Sequence, residues 1–177
     1  KPVYKEKLRI RSYEKASGAS PVFVELKKKY KGVVYKRRIS MPEREAMEWT
    51  TGETDRKEDS QISREIGYFL RFYGNLRPAG FLTYQREAFL GKEQKDFRIT
   101  FDRLVLFRQE DISLESDVYG MPVLPAGMTL MEIKCSGGIP LWMARLLSRE
   151  RIYKTSFSKY GTAYKNFIFP TESREVR

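Results

Sequence analysis

Charge falls on every second residue in five short stretches: Leu8-Arg9-Ile10-Arg11, Val22-Phe23-Val24-Glu25-Leu26-Lys27, Tyr84-Gln85-Arg86, Arg98-Ile99-Thr100-Phe101-Asp102 and Thr129-Leu130-Met131-Glu132-Ile133-Lys134. A period of two is that of a β-strand, whose successive side chains point to opposite faces. Each stretch reads as a strand with one apolar and one charged face, so several strands share a cationic surface. Unpaired charges are expensive to desolvate, and such a surface implies water, counter-ions or an anionic ligand in place of a packed interior. The matching partner is a polyanion, whether nucleic acid, anionic lipid or a phosphate-rich small molecule, and charge alone does not choose among them; a triphosphate is one that the face suits. Phosphoryl transfer asks little covalent work of a protein, and its barrier falls when fixed cations and a metal neutralise the charge that builds on the phosphate oxygens. Arg supplies forked donors and Lys a compact charge. A lone carboxylate such as Glu132 suffices to hold one Mg²⁺ or Mn²⁺ whose other ligands are phosphate and water. Glu25 is the competing metal ligand, and the plain alternative for Glu132 is an ion pair with cations on neighbouring strands. The chain contains no histidine, which excludes His bases, His-metal sites and Ser-His-Asp chemistry and leaves positioning and electrostatics.

The elements that must carry these residues follow in chain order. Lys7 to Tyr13, Val22 to Lys29 and Val33 to Ser40 read as three antiparallel strands, the last two joined at Lys31-Gly32. Pro42 to Trp49 is a short helix with Pro in its first turn and early acids. Thr50 to Asp59 is a solvated loop. Ser60 to Tyr73 places Ile62, Ile66, Phe69, Leu70 and Tyr73 at helical spacing, with Ser60 as cap and Gly74-Asn75 as stop. Its apolar stripe is expected to cover the greasy faces of the strands. Phe81 to Phe89 and Phe97 to Phe107 form a second hairpin about Gly91-Lys92-Glu93, and Asp111 to Gly127 is a loop leading to the strand at Thr129 to Lys134. A helix starts at Pro140, and Lys154 to Tyr164 is irregular or helical.

The 177 residues suit one domain with a real core. Lys and Arg number 34 against 23 acids, a net charge of +11, which points to a polyanionic partner. An apolar content of 41% and an aromatic content of 14% are too high for a disordered basic tail, so the charge is displayed on a fold. The single cysteine, Cys135, and the lack of a long apolar run or signal peptide point to a soluble, cytoplasmic protein without a membrane segment. Lys27-Lys28-Lys29 looks like a nucleic-acid patch, but on a strand its members split between faces. Lys28, Arg56 and Lys57 are expected to face solvent, and Tyr153, Tyr160 and Tyr164 to pack.

Six stretches, the four Arg- and Lys-bearing strands Leu8 to Arg11, Val24 to Lys27, Tyr84 to Arg86 and Arg98 to Asp102, then Met131 to Lys134 and Phe157-Ser158-Lys159-Tyr160, occur in an order that resembles the VTC domain. This is the catalytic domain of vacuolar transporter chaperone polyphosphate polymerases, within the CYTH-like triphosphate tunnel metalloenzymes. The resemblance spans nearly the whole chain. It implies an α+β fold: an antiparallel β-barrel of about eight strands, enclosing a basic tunnel and flanked by helices, as one domain over residues 1–177. Six strands are read here, so the first strands of the barrel are expected to be absent from this sequence. By the same resemblance, phosphate is bound by Arg9, Arg11, Lys27, Lys36, Arg86, Arg98, Lys134, Ser158 and Lys159, with Tyr84 as hydroxyl donor and Glu132 as metal ligand. Of these, Arg86, Arg98, Lys134 and Lys159 are the catalytic set. The bland alternative for Tyr84 is packing. The family pattern carries a further basic residue two positions before the serine of Phe157-Ser158-Lys159, where this chain has Ser156, and Lys154 is the nearest substitute. The expected activity is that of a metal-dependent (Mn²⁺ or Mg²⁺) ATP-polyphosphate phosphotransferase, with ATP and polyphosphate as partners and no specific nucleic acid. The alternatives are a tunnel-type triphosphatase and a non-catalytic polyphosphate or nucleic-acid binding module.

Overall fold

The computed structural model describes residues 3–55 and 59–170; Arg56 and Lys57 lie outside them. The chain divides into two compact units, Lys1–Phe81 with Glu110–Asp117, and Leu82–Gln109 with Val118–Arg177.

In the first unit, β1 (Tyr4–Arg11), β2 (Pro21–Tyr30) and β3 (Val33–Pro42) form an antiparallel sheet in that order. The β2-β3 loop is two residues long, Lys31 and Gly32, with φ of 45° and 88°. Positive φ at both positions is the requirement of the tight hairpin turn whose twist matches that of paired strands. The register sets Leu8 against Leu26, Ile10 against Val24 and Val24 against Ile39, so the apolar residues of all three strands share one face. Val22, Val24 and Leu26 are fully buried there, packed with Ala46, Trp49, Ile66 and Phe69 from α1 (Glu43–Thr51) and α2 (Gln61–Tyr73). Each fully buried side chain of this size stabilises by roughly 1.5–3 kcal/mol. The helix expected over residues 60–73 thus covers the greasy side of the strands.

The helix ends are closed by local chemistry. Pro42 has no capping side chain, and the first free amides of α1, those of Glu43 and Arg44, donate instead to the carbonyls of Ser20 and Gly18, which satisfies donors a helix start leaves unpaired. Ser60 and Ser63 form a reciprocal capping box at α2, with serine in the place usual for Glu or Gln. The first strand begins earlier and ends sooner than its alternation predicts. Pairing runs from Tyr4 opposite Tyr30 to Arg11 opposite Phe23, after which the Ser12 hydroxyl bonds the Glu14 carbonyl and turns the chain away.

In the second unit, β5 (Arg98–Arg108) is the central strand. It is hydrogen-bonded to β4 (Phe81–Leu90), and antiparallel to β6 (Met121–Pro122) at Leu106–Phe107 and to β7 (Leu130–Lys134) at Arg98–Asp102. Leu104 has φ of 47°. Buried positions change phase across it, from Thr100 and Asp102 to Val105 and Phe107, while Arg103 and Leu104 are both exposed. This is the signature of a bulge, and it puts Thr100, Asp102, Val105 and Phe107 on one face. Val105 and Phe107 pack there with Val123, Ala163 and Ile168. After α3 (Leu141–Arg149), α4 (Lys159–Ala163) leads into one π-helical turn, Tyr164–Ile168. The 154–164 segment is therefore irregular at first and helical from Lys159.

The α+β class holds, with two antiparallel sheets and four α-helices among the described residues. The closed barrel that the resemblance implies is not seen among the described residues. The described strands form a three-stranded and a four-stranded sheet rather than one closed ladder, and seven strands, one of them the two-residue β6 inside the expected loop, fall short of the eight or so that closure takes. No described helix is long and apolar enough to cross a membrane.

Candidate functional site

The charged face of the first sheet is built from rows set by register. Lys7 lies opposite Lys27, and Lys27 opposite Lys36; in the next row Glu25 stands between Arg9 and Arg38; beyond it Arg11 faces Phe23. Alternation adds Lys5 and Lys29, so eight cations share this face with one carboxylate, Glu25. Like charges directly opposite one another are destabilising; at Lys7, burial first and then the neighbouring charges of Arg9, Lys27 and Lys5 hold the ammonium below the ordinary lysine value.

Glu25 is 2% exposed. Arg9 Nε donates to its Oε2 at 2.5 Å, while Lys36 Nζ and Arg38 Nε lie 2.9 and 3.1 Å from Oε1, neither with hydrogen-bond geometry. Burial pushes this carboxyl up, but Lys36 and Arg9 prevail and hold it below the usual carboxylate value. Glu25 is thus a nearly inaccessible ion-pair centre, 2% exposed, with three cations around it. Arg38 is also held by its position over the Phe23 ring, 3.5 Å from the centroid, and donates from Nη2 to the Tyr13 hydroxyl at 3.0 Å.

The second sheet carries the other cluster. Arg86 grips Asp102 with a fork, Nε to Oδ1 and Nη2 to Oδ2, both at 2.6 Å. The Lys159 ammonium is ion-paired to Asp102 Oδ2 and donates to Glu132 Oε1 at 3.1 Å. Arg86 Nη2 is 3.5 Å from the same Glu132 oxygen, and Lys134 Nζ is 4.0 Å from Oε2. Burial pushes the Asp102 carboxyl up, while the bonds from Arg86 and Lys159 outweigh it and hold the group below its ordinary value. The Arg86 guanidinium is raised above its ordinary value, first by its bond to Asp102. Tyr84 makes its contacts through the ring, over which lie Lys159 Nζ at 4.7 Å and Arg86 Cζ at 5.1 Å.

Secondary structure explains each placement. Antiparallel register puts Arg98 opposite Lys134 and Thr100 opposite Glu132. Ser158 is the N-cap of α4, its hydroxyl accepting the Gly161 amide, and this cap aims the next residue, Lys159, at the sheet. Lys134 and Arg98 are exposed, and among the described residues Arg98 and Lys27 have no acidic partner. The cluster of Arg86, Arg98, Lys134 and Lys159 against Asp102 and Glu132 keeps a surplus of two positive charges. Ser156 and Lys154 lie on the exposed irregular stretch before the cap.

The metal expectation is tested by the donors present. Among the described residues no three His, Cys, Asp or Glu side chains gather. Glu132 is 35% exposed, and across the ladder from it the Thr100 hydroxyl is buried without a hydrogen-bond partner. One accessible carboxylate beside an unpaired hydroxyl fits a hard cation that keeps phosphate and water ligands of its own.

The expected phosphate-binding residues divide between the units: Arg9, Arg11, Lys27 and Lys36 share the face of the first sheet, while Tyr84, Arg86, Arg98, Glu132, Lys134, Ser158 and Lys159 belong to the second. Sequence reasoning passed over Arg38 and Asp102. The signal for Arg38 was available, because the Val33 to Ser40 strand alternates Lys36 with Arg38 and the two-residue turn fixes Arg38 opposite Glu25. Asp102 ends an alternating stretch already singled out. The VTC domain family model matches residues 1–168, and no curated protein matches the chain.

Proposed function

Because the chain belongs to the VTC domain family, we propose that it is a polyphosphate polymerase, which transfers the γ-phosphoryl group of ATP to the end of a growing polyphosphate chain in a basic tunnel of the kind the family implies. The observation that carries the reading is the second-sheet cluster: Lys159, Arg86 and Lys134 within 4.0 Å of one accessible carboxylate, Glu132, with Arg98 opposite Lys134 and both exposed, and with Lys159 and Arg86 more deeply buried. Triphosphate oxygens meet fixed cations there. Arg98 and Lys134 draw in and orient the phosphate chain, and Lys159 and Arg86 lie where charge builds on the transferred group and the bridging oxygen, so the barrier falls without a covalent intermediate. Arg9, Arg11, Lys27 and Lys36 offer the same chemistry from the face of the first sheet. Ser158 has a hydroxyl hydrogen left to donate, because its oxygen is the part used in the cap. Glu132 would hold Mn²⁺ or Mg²⁺, which supplies charge neutralisation between phosphate oxygens when bound.

A non-catalytic polyphosphate-binding module is favoured by one feature, the ion pair that Glu132 makes with Lys159. Incubation with ATP and Mn²⁺, with products resolved on a gel, separates the readings. A ladder supports the polymerase, free phosphate alone indicates a triphosphatase, and no turnover with retained tripolyphosphate binding indicates the module.

A further inference from the structure

Asp102 is fully buried, at 0% exposure, directly below the surface on which phosphate is proposed to bind. Its carboxylate occupies two donors of Arg86 in a fork, at 2.6 Å each, and takes Lys159 on Oδ2. Stability gives a poor account of such an acid. Buried ion clusters are often no more stabilising than apolar side chains of the same volume, and a carboxylate here subtracts one positive charge from a face built to attract anions. What the fork does supply is direction: with Nε and Nη2 engaged, the guanidinium plane is locked and Nη1 is turned away from Asp102.

The surroundings lock the acid in turn. The bulge at Leu104 brings Val105 and Phe107 onto the same face, so the packed core begins one bulge away from the carboxylate. The ring of Tyr84 lies against both cations. Lys159 starts a helix whose cap is Ser158 and whose far side is packed through Ala163, so the Asp102–Lys159 pair ties that helix to the sheet.

We propose that Asp102 is a positioning residue that acts through Arg86 and Lys159, setting the two cations in the geometry in which they meet the transferred phosphoryl group; the proposal rests on the phosphoryl-transfer reading above. Its test is Asp102→Asn, which keeps the shape, removes the charge and accepts only one arm of the fork. The expected result is a fall in kcat of about 10- to 100-fold, the range that misplacement of a reacting group by about an ångström produces. The KM for ATP and the affinity for tripolyphosphate should stay within about threefold, because the face gains a positive charge as it loses order. In an Arg86→Gln background, Asp102→Asn should cost kcat several-fold less than it does in wild type, the remainder being the part carried through Lys159. If Asp102→Asn does not fold, Arg86→Lys with Asp102 intact keeps the charge without the fork and must reproduce the loss of kcat with binding retained. A kcat within twofold of wild type, equal losses in kcat and affinity, or a full effect in the Arg86→Gln background would overturn the inference. The Nε–H resonance of Arg86 gives a readout that needs no turnover: it should be sharp in wild type and lost in Asp102→Asn, and its persistence would count against the fork. A wild-type protein that makes no polymer defeats the polymerase reading, and the positioning inference is then decided by that resonance.

Discussion

Glu25→Gln is the sharpest probe of the first sheet, because Glu25 is the one acid on a face of eight cations. Gln keeps the volume and removes the charge, leaving Arg9, Lys36 and Arg38 to face one another. Removing one member of a fully buried ion cluster costs about 3–5 kcal/mol. Here the cationic side chains are 47%, 48% and 33% exposed, so water recovers part of the loss and about 2 kcal/mol remains. At this chain length that lowers Tm by about 4–8 °C, measured by circular dichroism at pH 7 and low salt. Raising the salt to about 1 M shortens the screening length to about 3 Å and should restore much of the loss. Tripolyphosphate should restore more, raising the variant's Tm further than that of wild type. The sign with pH follows from the depressed carboxyl. A group whose folded value lies below its unfolded one contributes fully above the unfolded value, about 4.3 for Glu, and loses that contribution as pH falls through the folded value. The gap in Tm between wild type and variant should therefore close below about pH 4. A gap under 1 °C at pH 7, or one that is the same at pH 3, would refute the electrostatic account of this face.

Glu132→Gln should abolish polymer formation while tripolyphosphate affinity stays within a few fold, because the cations around it remain; activity retained within a few fold would remove Glu132 from the metal role. Arg98→Ala and Lys134→Ala should each weaken tripolyphosphate binding by about 1–3 kcal/mol through lost charge-assisted bonds. Lys28→Ala, on the opposite face of β2 and 3.8 Å from Glu6, should change it little; equal losses at all three, with duplex DNA bound as well as tripolyphosphate, would mean a diffuse basic surface. Ser60→Ala removes the acceptor of the Ser63 amide and should cost about 1 kcal/mol, read as a drop in Tm of about 2–4 °C with unchanged phosphate affinity.

Local pattern carried much of this protein in the sequence. Alternation announced the strands and their charged faces, because side-chain direction in a strand has a period of two whatever its neighbours are. The Lys31-Gly32 turn set the β2-β3 register, since a two-residue loop leaves little choice of pairing, and Ser60 with the stripe from Ile62 to Tyr73 marked α2. The cationic residues were legible for the same reason. Tertiary structure decided which carboxylate serves which cation. Arg86 and Asp102 lie on adjacent strands, and Lys159 reaches Asp102 from 57 residues away only because the Ser158 cap and the packing of Ala163 and Ile168 aim it there. No periodicity encodes such a meeting. The bulge was equally hidden, because the residue with positive φ is Leu104 and not a glycine; it inverts the alternation along β5 and so joins the core to the charged cluster on one face. Glu25 shows the distinction most plainly. Its residue type and strand position show only a carboxylate on a charged face; that it is buried among three cations from two neighbouring strands was decided by register and folding, since the field at a carboxylate depends on what they place within a few ångströms of it.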